Sequence, residues 1–185
     1  MNTLDLLSDA AVAKRGLRNA LGRFATGVTV VTTRTRDGTF EGVTANSFSA
    51  VSLEPPLVLW SLRCEARSLP AFLASNCFAI NVLSKEQARI SRHFATPQLN
   101  KFEGMDFKLG IDCCPIFERS PAIFECHTQT KVQGGDHIIL IGRVVRVHHC
   151  DATPPSSSRA VNTVRILCSP KSNDRYCIRG SIGHL

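Results

Sequence analysis

A chain of 185 residues with 43% hydrophobic and 20% charged residues has the composition of a soluble globular protein with a single core. No apolar run approaches the roughly 20 residues of a membrane span, and the stretch from Met1 to Leu17 lacks the apolar centre of a secretory signal, so a cytoplasmic location is expected. The formal charge of +7 could mean nucleic acid, but lysine and arginine are scattered singly without aromatic interleaving, and an anionic small ligand explains the charge equally well.

From Ser8 to Phe24 the residues Leu17, Ala20, Leu21 and Phe24 recur at helical spacing and predict an amphipathic helix, which Ser8 or Asp9 could cap. The β-branched run VTVVTTR then predicts a strand, and Arg36-Asp37-Gly38-Thr39 a two-residue hairpin turn. The return strand delivers Gly42 to Ala45. Val51 to Leu53 and Leu57 to Leu62 read as further strands, separated by a Pro55-Pro56 corner that cannot donate ladder bonds.

Ser68 to Leu73 predicts a short helix with proline in its first turn, and Cys77 to Leu83 a strand. Ser84 and Gln87 form a capping-box pattern that starts a helix reaching Phe94. The segment from Thr96 to Pro115 is a long connection, expected to cover part of a site. Ala122 to Val132 and His137 to Val147 alternate as strands joined through Gln133-Gly134-Gly135-Asp136.

About seven strands with local hairpins and only short helices argue for a mainly β, antiparallel barrel. Residues 1–150 read as one domain and residues 151–185 as a divergent, Pro/Ser-rich tail with a brief strand-like run at Val164 to Leu167.

None of the eight cysteines forms CxxC, and the adjacent pair Cys113-Cys114 suits a tetrahedral ion poorly, so no metal site is expected and most thiols should act as small buried hydrophobes. His148 and His149 point to opposite faces of a strand and form no metal pair. Thr44-Ala45-Asn46-Ser47 sets small polar groups against apolar strands. It could hold the polar edge of a planar ligand, or it could be a strand end breaking into a turn.

Four motifs in order, FATGVTVVTT (Phe24 to Thr33), GVTANSFSAVSLEPPLVL (Gly42 to Leu59), FAINVL (Phe78 to Leu83) and GGDHIILIGRVVRVHH (Gly134 to His149), resemble the short-chain flavin reductase family. These are the reductase components of two-component flavin-dependent monooxygenases. The resemblance implies a Greek-key, FMN-binding split β-barrel that works as a homodimer. It also implies reduction of FMN or FAD by NADH or NADPH, with the product passed to a separate oxygenase component.

By resemblance, Thr44, Ala45, Asn46 and Ser47 contact the flavin ring and ribityl chain, and Ser61, Arg67 and Ser68 its phosphate. Asn81, a buried amide that demands partners, is matched to the flavin, and Lys101 and Phe102 could cover it. His137 is implied at the flavin face where nicotinamide docks, as a positioning group. The residues also admit plainer roles: Ser68 as a cap, Arg67 solvated, Phe102 as a loop anchor, and His137 bonding Asp136.

After His149 the chain departs from the family, since no aromatic-rich Gly-x-Tyr segment follows and Tyr176 lacks that context. Two other readings therefore stay open: a flavin-binding carrier or sensor without efficient reduction, and a reductase of another acceptor such as a corrinoid.

Overall fold

The computed structural model describes residues 10–150. The predicted tail, its Val164 to Leu167 run, Cys168, Tyr176, Cys177 and the Ser8 or Asp9 cap all lie outside the described residues.

A seven-stranded sheet dominates, in the order β2-β1-β5-β8-β9-β4-β3, with every pairing antiparallel. Strand β1 (Thr29–Arg34) is buried along all but its last residue, because its β-branched side chains fill space on both faces. It pairs with β2 (Phe40–Ala45) and with β5 (Cys77–Val82). On the other side, β4 (Pro56–Arg63) lies between β3 (Ser49–Leu53) and β9 (His137–His149), and β9 pairs with β8 (Ala122–Gly134). Two register shifts interrupt the β8–β9 ladder, and such bulges bend and twist long strands.

That bending rolls the sheet on itself. Val43 of β2 and Val58 of β4 come from opposite ends of the strand order, yet both pack on one core built from Trp60, Phe72, Phe78 and Leu140. Burying each of those side chains contributes about 1.5–3 kcal/mol. Gly142 sits where β9 crosses the Phe78 ring, and any Cβ there would collide with it. Helix α1 (Ala10–Leu21) precedes the sheet, α2 (Leu69–Ala74) follows Ser68, and α3 (Ala88–Ala95) lies over β1 and β2. The capping-box pattern is realised: the Gln87 carboxamide accepts from the Ser84 N–H at 2.9 Å, ahead of a single 3-10 turn and then α3. Among the described residues no helix is long and apolar enough to cross a membrane.

Two expectations need correction. The hairpin after β1 is a five-residue loop, residues 35–39, closed by Thr35 N–H to Thr39 O at 2.9 Å with Gly38 at φ 90°. Thr35 and Asp37 side chains bond each other across it, which favours the longer loop. The apolar stripe of the first helix is exposed at its end, with Leu21 65% and Phe24 76% accessible. The segment after α3 is not all loop either. It contains β6 (Lys108–Leu109) paired with β7 (Pro115–Ile116). Of the described cysteines, Cys77, Cys114 and Cys126 are buried, whereas Cys64 and Cys150 are exposed.

Candidate flavin site

Where β2 ends, the chain turns through Asn46 to Phe48 and re-enters the sheet as β3. The turn is pinned by its own hydroxyls. Thr29 Oγ1 donates to Ala45 O at 2.8 Å, and Thr44 Oγ1 donates to Ser91 O in α3 at 2.6 Å. Ser47 Oγ accepts from the Ser61 N–H at 2.9 Å and donates to the Ser61 carbonyl at 3.1 Å, tying the turn to β4. These three hydroxyls act on backbone, so Thr44 and Ser47 offer a ligand mainly their main chain.

Between this turn and β4 lies a cavity of about 310 Å³, at the lower end of ligand-pocket sizes. Thr44, Ala45, Asn46, Ser47, Ser61 and His137 all line it, joined by Val43, Leu62, Arg63 and Ala66. Asn46 is exposed and, like the Ser61 hydroxyl, makes no protein hydrogen bond among the described residues. Free donors on a partly apolar wall fit the electron-rich edge of a flavin ring.

The β8–β9 turn, with Gly135 at φ 65°, supplies the remaining wall. Register places His137 directly across from Arg63. His137 Nδ1 lies 2.7 Å from the Asp136 carboxylate, which orients the ring and leaves Nε2 without a partner among the described residues. The Asp136 carbonyl accepts from the Cys64 N–H at 2.9 Å and fixes the turn against β4. Among the described residues Arg63 reaches only a distant, exposed carboxylate, Glu65 at 3.9 Å, so its guanidinium stays available there. Arg63 was missed in the sequence. The signal was there: it stands two residues after Ser61, on the same face of a strand.

The other expected residues are placed elsewhere. Asn81 is fully buried and satisfied by the protein: Nδ2 donates to Val30 O at 3.1 Å, and Oδ1 accepts from the Phe117 N–H at 2.9 Å. The demand for partners that pointed to a ligand is thus met inside the fold. Phe102 packs edge-on against Phe40, Phe94 and Phe107, as a loop anchor does. The Lys101 ammonium donates to Gly42 O and Phe94 O, both at 3.0 Å. Burial lowers its pKa, nearby Arg67 adds to that, and Glu41 opposes it. Lys101 therefore ties the loop to the root of the cavity wall without lining the cavity. Arg67 is exposed and Ser68 buried just beyond Ala66, with neither in the cavity wall. None of residues 96–115 lines it either, so the long segment covers α3 and β1 instead.

Two larger hollows, of about 470 and 600 Å³, are lined by none of the residues of the four motifs. The smaller cavity is preferred because six residues expected at the flavin site, Thr44, Ala45, Asn46, Ser47, Ser61 and His137, converge on it.

A sequence model of the flavin reductase like domain matches residues 21–162. The chain belongs to the flavin reductase-like domain family. It is 44% identical over 140 residues to the Agrobacterium fabrum FMN reductase (NADH) SmoA, covering 76% of this chain and 79% of that protein. It is 43% identical over 136 residues to the reductase component of the flavin-dependent trigonelline monooxygenase of Acinetobacter baylyi, covering 74% of this chain and 44% of that protein. The chain thus spans less than half the length of some curated relatives it matches. Among solved structures, the Streptomyces globisporus NADH:FAD oxidoreductase SgcE6, in complex with NAD and FAD fragments, superposes with a TM-score of 0.77 at 32% identity. That match covers 87% of this chain and 98% of SgcE6. The mainly β, antiparallel architecture expected from the sequence is the one this flavin reductase family shares.

Proposed function

We propose that the chain is an NAD(P)H:flavin oxidoreductase that reduces FMN or FAD and supplies the product to a separate monooxygenase component in the cytoplasm. One observation carries this reading: in a flavin reductase family chain, Asn46, Ser61, Arg63 and His137 converge on one cavity. The names of the relatives, an NADH-dependent FMN reductase, an NADH:FAD oxidoreductase and a monooxygenase reductase component, support donor, acceptor and partner.

When bound, the nicotinamide and flavin supply hydride transfer, a step that needs no protein nucleophile. The chain's residues place the two rings. Asn46, the Ser61 hydroxyl and the backbone N–H groups of the 45–47 turn hold the polar edge of the flavin, where negative charge develops on reduction. His137, oriented by Asp136, positions the nicotinamide, and Arg63 beside it offers a cation to the nucleotide phosphates. Arg67 and Ser68, just past the cavity, serve the flavin phosphate. Asn81, Lys101 and Phe102 support the wall from behind.

A cavity of about 310 Å³ is small for two ring systems, and the exposed stripe of Leu17, Leu21 and Phe24 offers an apolar face to a second copy. Both features support a homodimer. Within this reading residues 1–150 form the reductase domain and residues 151–185 a divergent tail; the family match stops at residue 162, inside that tail.

The test is to mix the purified protein with FMN or FAD and NADH or NADPH and follow nicotinamide absorbance. Oxidation well above the free-flavin background is expected. Background rates with every pair would overturn the assignment.

A further inference from the structure

We propose that Cys77 and Cys114 form an oxidisable dithiol, a modification site that hydrogen peroxide closes to an intrachain disulfide. The two residues are 37 positions apart, yet their sulfurs lie 3.1 Å from each other, with the Cys114 thiol donating to Cys77. Forming the bond requires the sulfurs to approach to about 2.05 Å, a shift of roughly 1 Å. Both are buried, Cys77 at 8% exposure and Cys114 at 1%.

The backbone around Cys114 is built to hold that sulfur in place. Asp112 and Cys113 both occupy the left-handed region, at φ 52° and 59°, which is costly for residues other than glycine. Several bonds enforce the turn. The buried Glu125 carboxylate accepts from the Ile111 N–H, and Asp112 pairs with His127 at 2.9 Å. The Gly110 N–H donates to the Cys114 carbonyl at 2.9 Å, and His148 holds Glu125 from the other side at 2.7 Å. Simple packing of a small apolar residue in this cluster would need no such clamp.

The pair is also chemically asymmetric. The hydrogen bond from Cys114, helped by Ser75 and opposed by burial, keeps the Cys77 thiol below its ordinary pKa range. Donating that bond, together with burial, pushes Cys114 well above it. Cys77, which accepts the Cys114 thiol hydrogen and is the less buried of the two, is therefore the attacking sulfur and Cys114 the resolving one.

In the first step the Cys77 sulfur attacks the peroxide O–O bond, forming a sulfenic acid and releasing the other oxygen as water once the thiol proton is counted. In the second the Cys114 sulfur displaces the sulfenic oxygen, which leaves as water with the Cys114 proton. Two thiols and one peroxide become one disulfide and two waters, and two electrons pass from sulfur to oxygen. A source of peroxide lies at hand under the reductase reading, on which this point alone rests: reduced flavin that no oxygenase takes up passes two electrons to dioxygen.

The test treats the full chain with hydrogen peroxide, without flavin or nucleotide, alkylates the remaining thiols under denaturing conditions and maps non-reduced peptides. A Cys77–Cys114 cross-linked peptide, lost on reduction, is expected. Full alkylation of both residues, or their capture in other bonds such as Cys113–Cys114, overturns the proposal. The Cys114→Ser variant should instead carry a dimedone-trappable sulfenic acid at Cys77, and its absence in a folded variant counts against Cys77 as attacker. A second arm turns over NADH and FMN in air, with and without catalase. A cross-link that catalase prevents confirms the source, and nicotinamide oxidation without any cross-link refutes it. No nicotinamide oxidation at all, beside a cross-link from added peroxide, would fail the reductase reading and leave the dithiol standing.

Discussion

The Ser47 hydroxyl occupies the space between the amide and the carbonyl of Ser61, accepting from one at 2.9 Å and donating to the other at 3.1 Å. A side chain here replaces a rung of sheet, joining the turn after β2 to β4 where the cavity begins. Replacing Ser47 by alanine strands a part-buried N–H and a carbonyl, so a stability loss of about 1–2 kcal/mol is expected together with weaker flavin binding. Asn46→Ala removes an exposed amide with no partner among the described residues, so stability should stay within about 0.5 kcal/mol while flavin affinity falls. Thermal melts beside flavin fluorescence titrations separate the two. Equal melting losses would contradict this division.

His137 and Arg63 face each other across β9 and β4. The expected outcome for His137→Ala is a raised nucleotide KM with flavin affinity nearly unchanged, and a milder effect of the same kind for Asp136→Asn, which loosens the ring. Arg63→Ala should raise the nucleotide KM several-fold, and added salt should narrow its gap to the wild type, because salt screens an exposed cation. Steady-state kinetics in both substrates check each variant. An Arg63→Ala effect confined to flavin would reassign that residue.

Asn81 is expected to matter for folding. Alanine there leaves the Phe117 N–H and the Val30 carbonyl without their side-chain partner in a buried setting, at a cost of about 2–3 kcal/mol. Denaturant unfolding measures that loss. Flavin affinity of the folded fraction should match the wild type, and a large drop in it at unchanged stability would restore Asn81 as a ligand contact.

Lys101 carries a pH dependence. Burial lowers its folded pKa below 10.5, so in the window just under that value the unfolded chain binds more protons than the folded one. Stability from this group therefore rises with pH across that window and is lost again as pH falls through the folded pKa. Lys101→Met should melt lower throughout, because both carbonyl contacts disappear, and its deficit should widen as pH climbs toward the ordinary lysine value. Melting curves across that alkaline range test it; a constant deficit would show that the amine is not desolvated.

Much of the architecture was legible from local chemistry. Alternation and β-branched runs marked the strands, Gly135 and Gly38 marked turns, and Ser84 with Gln87 marked the start of the α3 region, since each signal acts within a few residues of itself. The convergence of Asn46, Ser61 and His137 was legible only through a family pattern, because no local rule says that residues so far apart share a wall.

The sequence by itself determined the mainly β class, the family and the polar turn after β2. Only the tertiary structure decided which polar groups remain free for a ligand. Asn81 is matched to a ligand by family pattern, and the fold gives its carboxamide the N–H of Phe117, 36 residues away. Arg63 enters the cavity wall through its register with His137, and Cys77 meets Cys114 through a strained turn held by Glu125 and His127. The physical reason is the same in each case: propensity is set by neighbours in the chain, whereas the satisfaction of a hydrogen bond, a charge or a thiol is set by long-range register and packing.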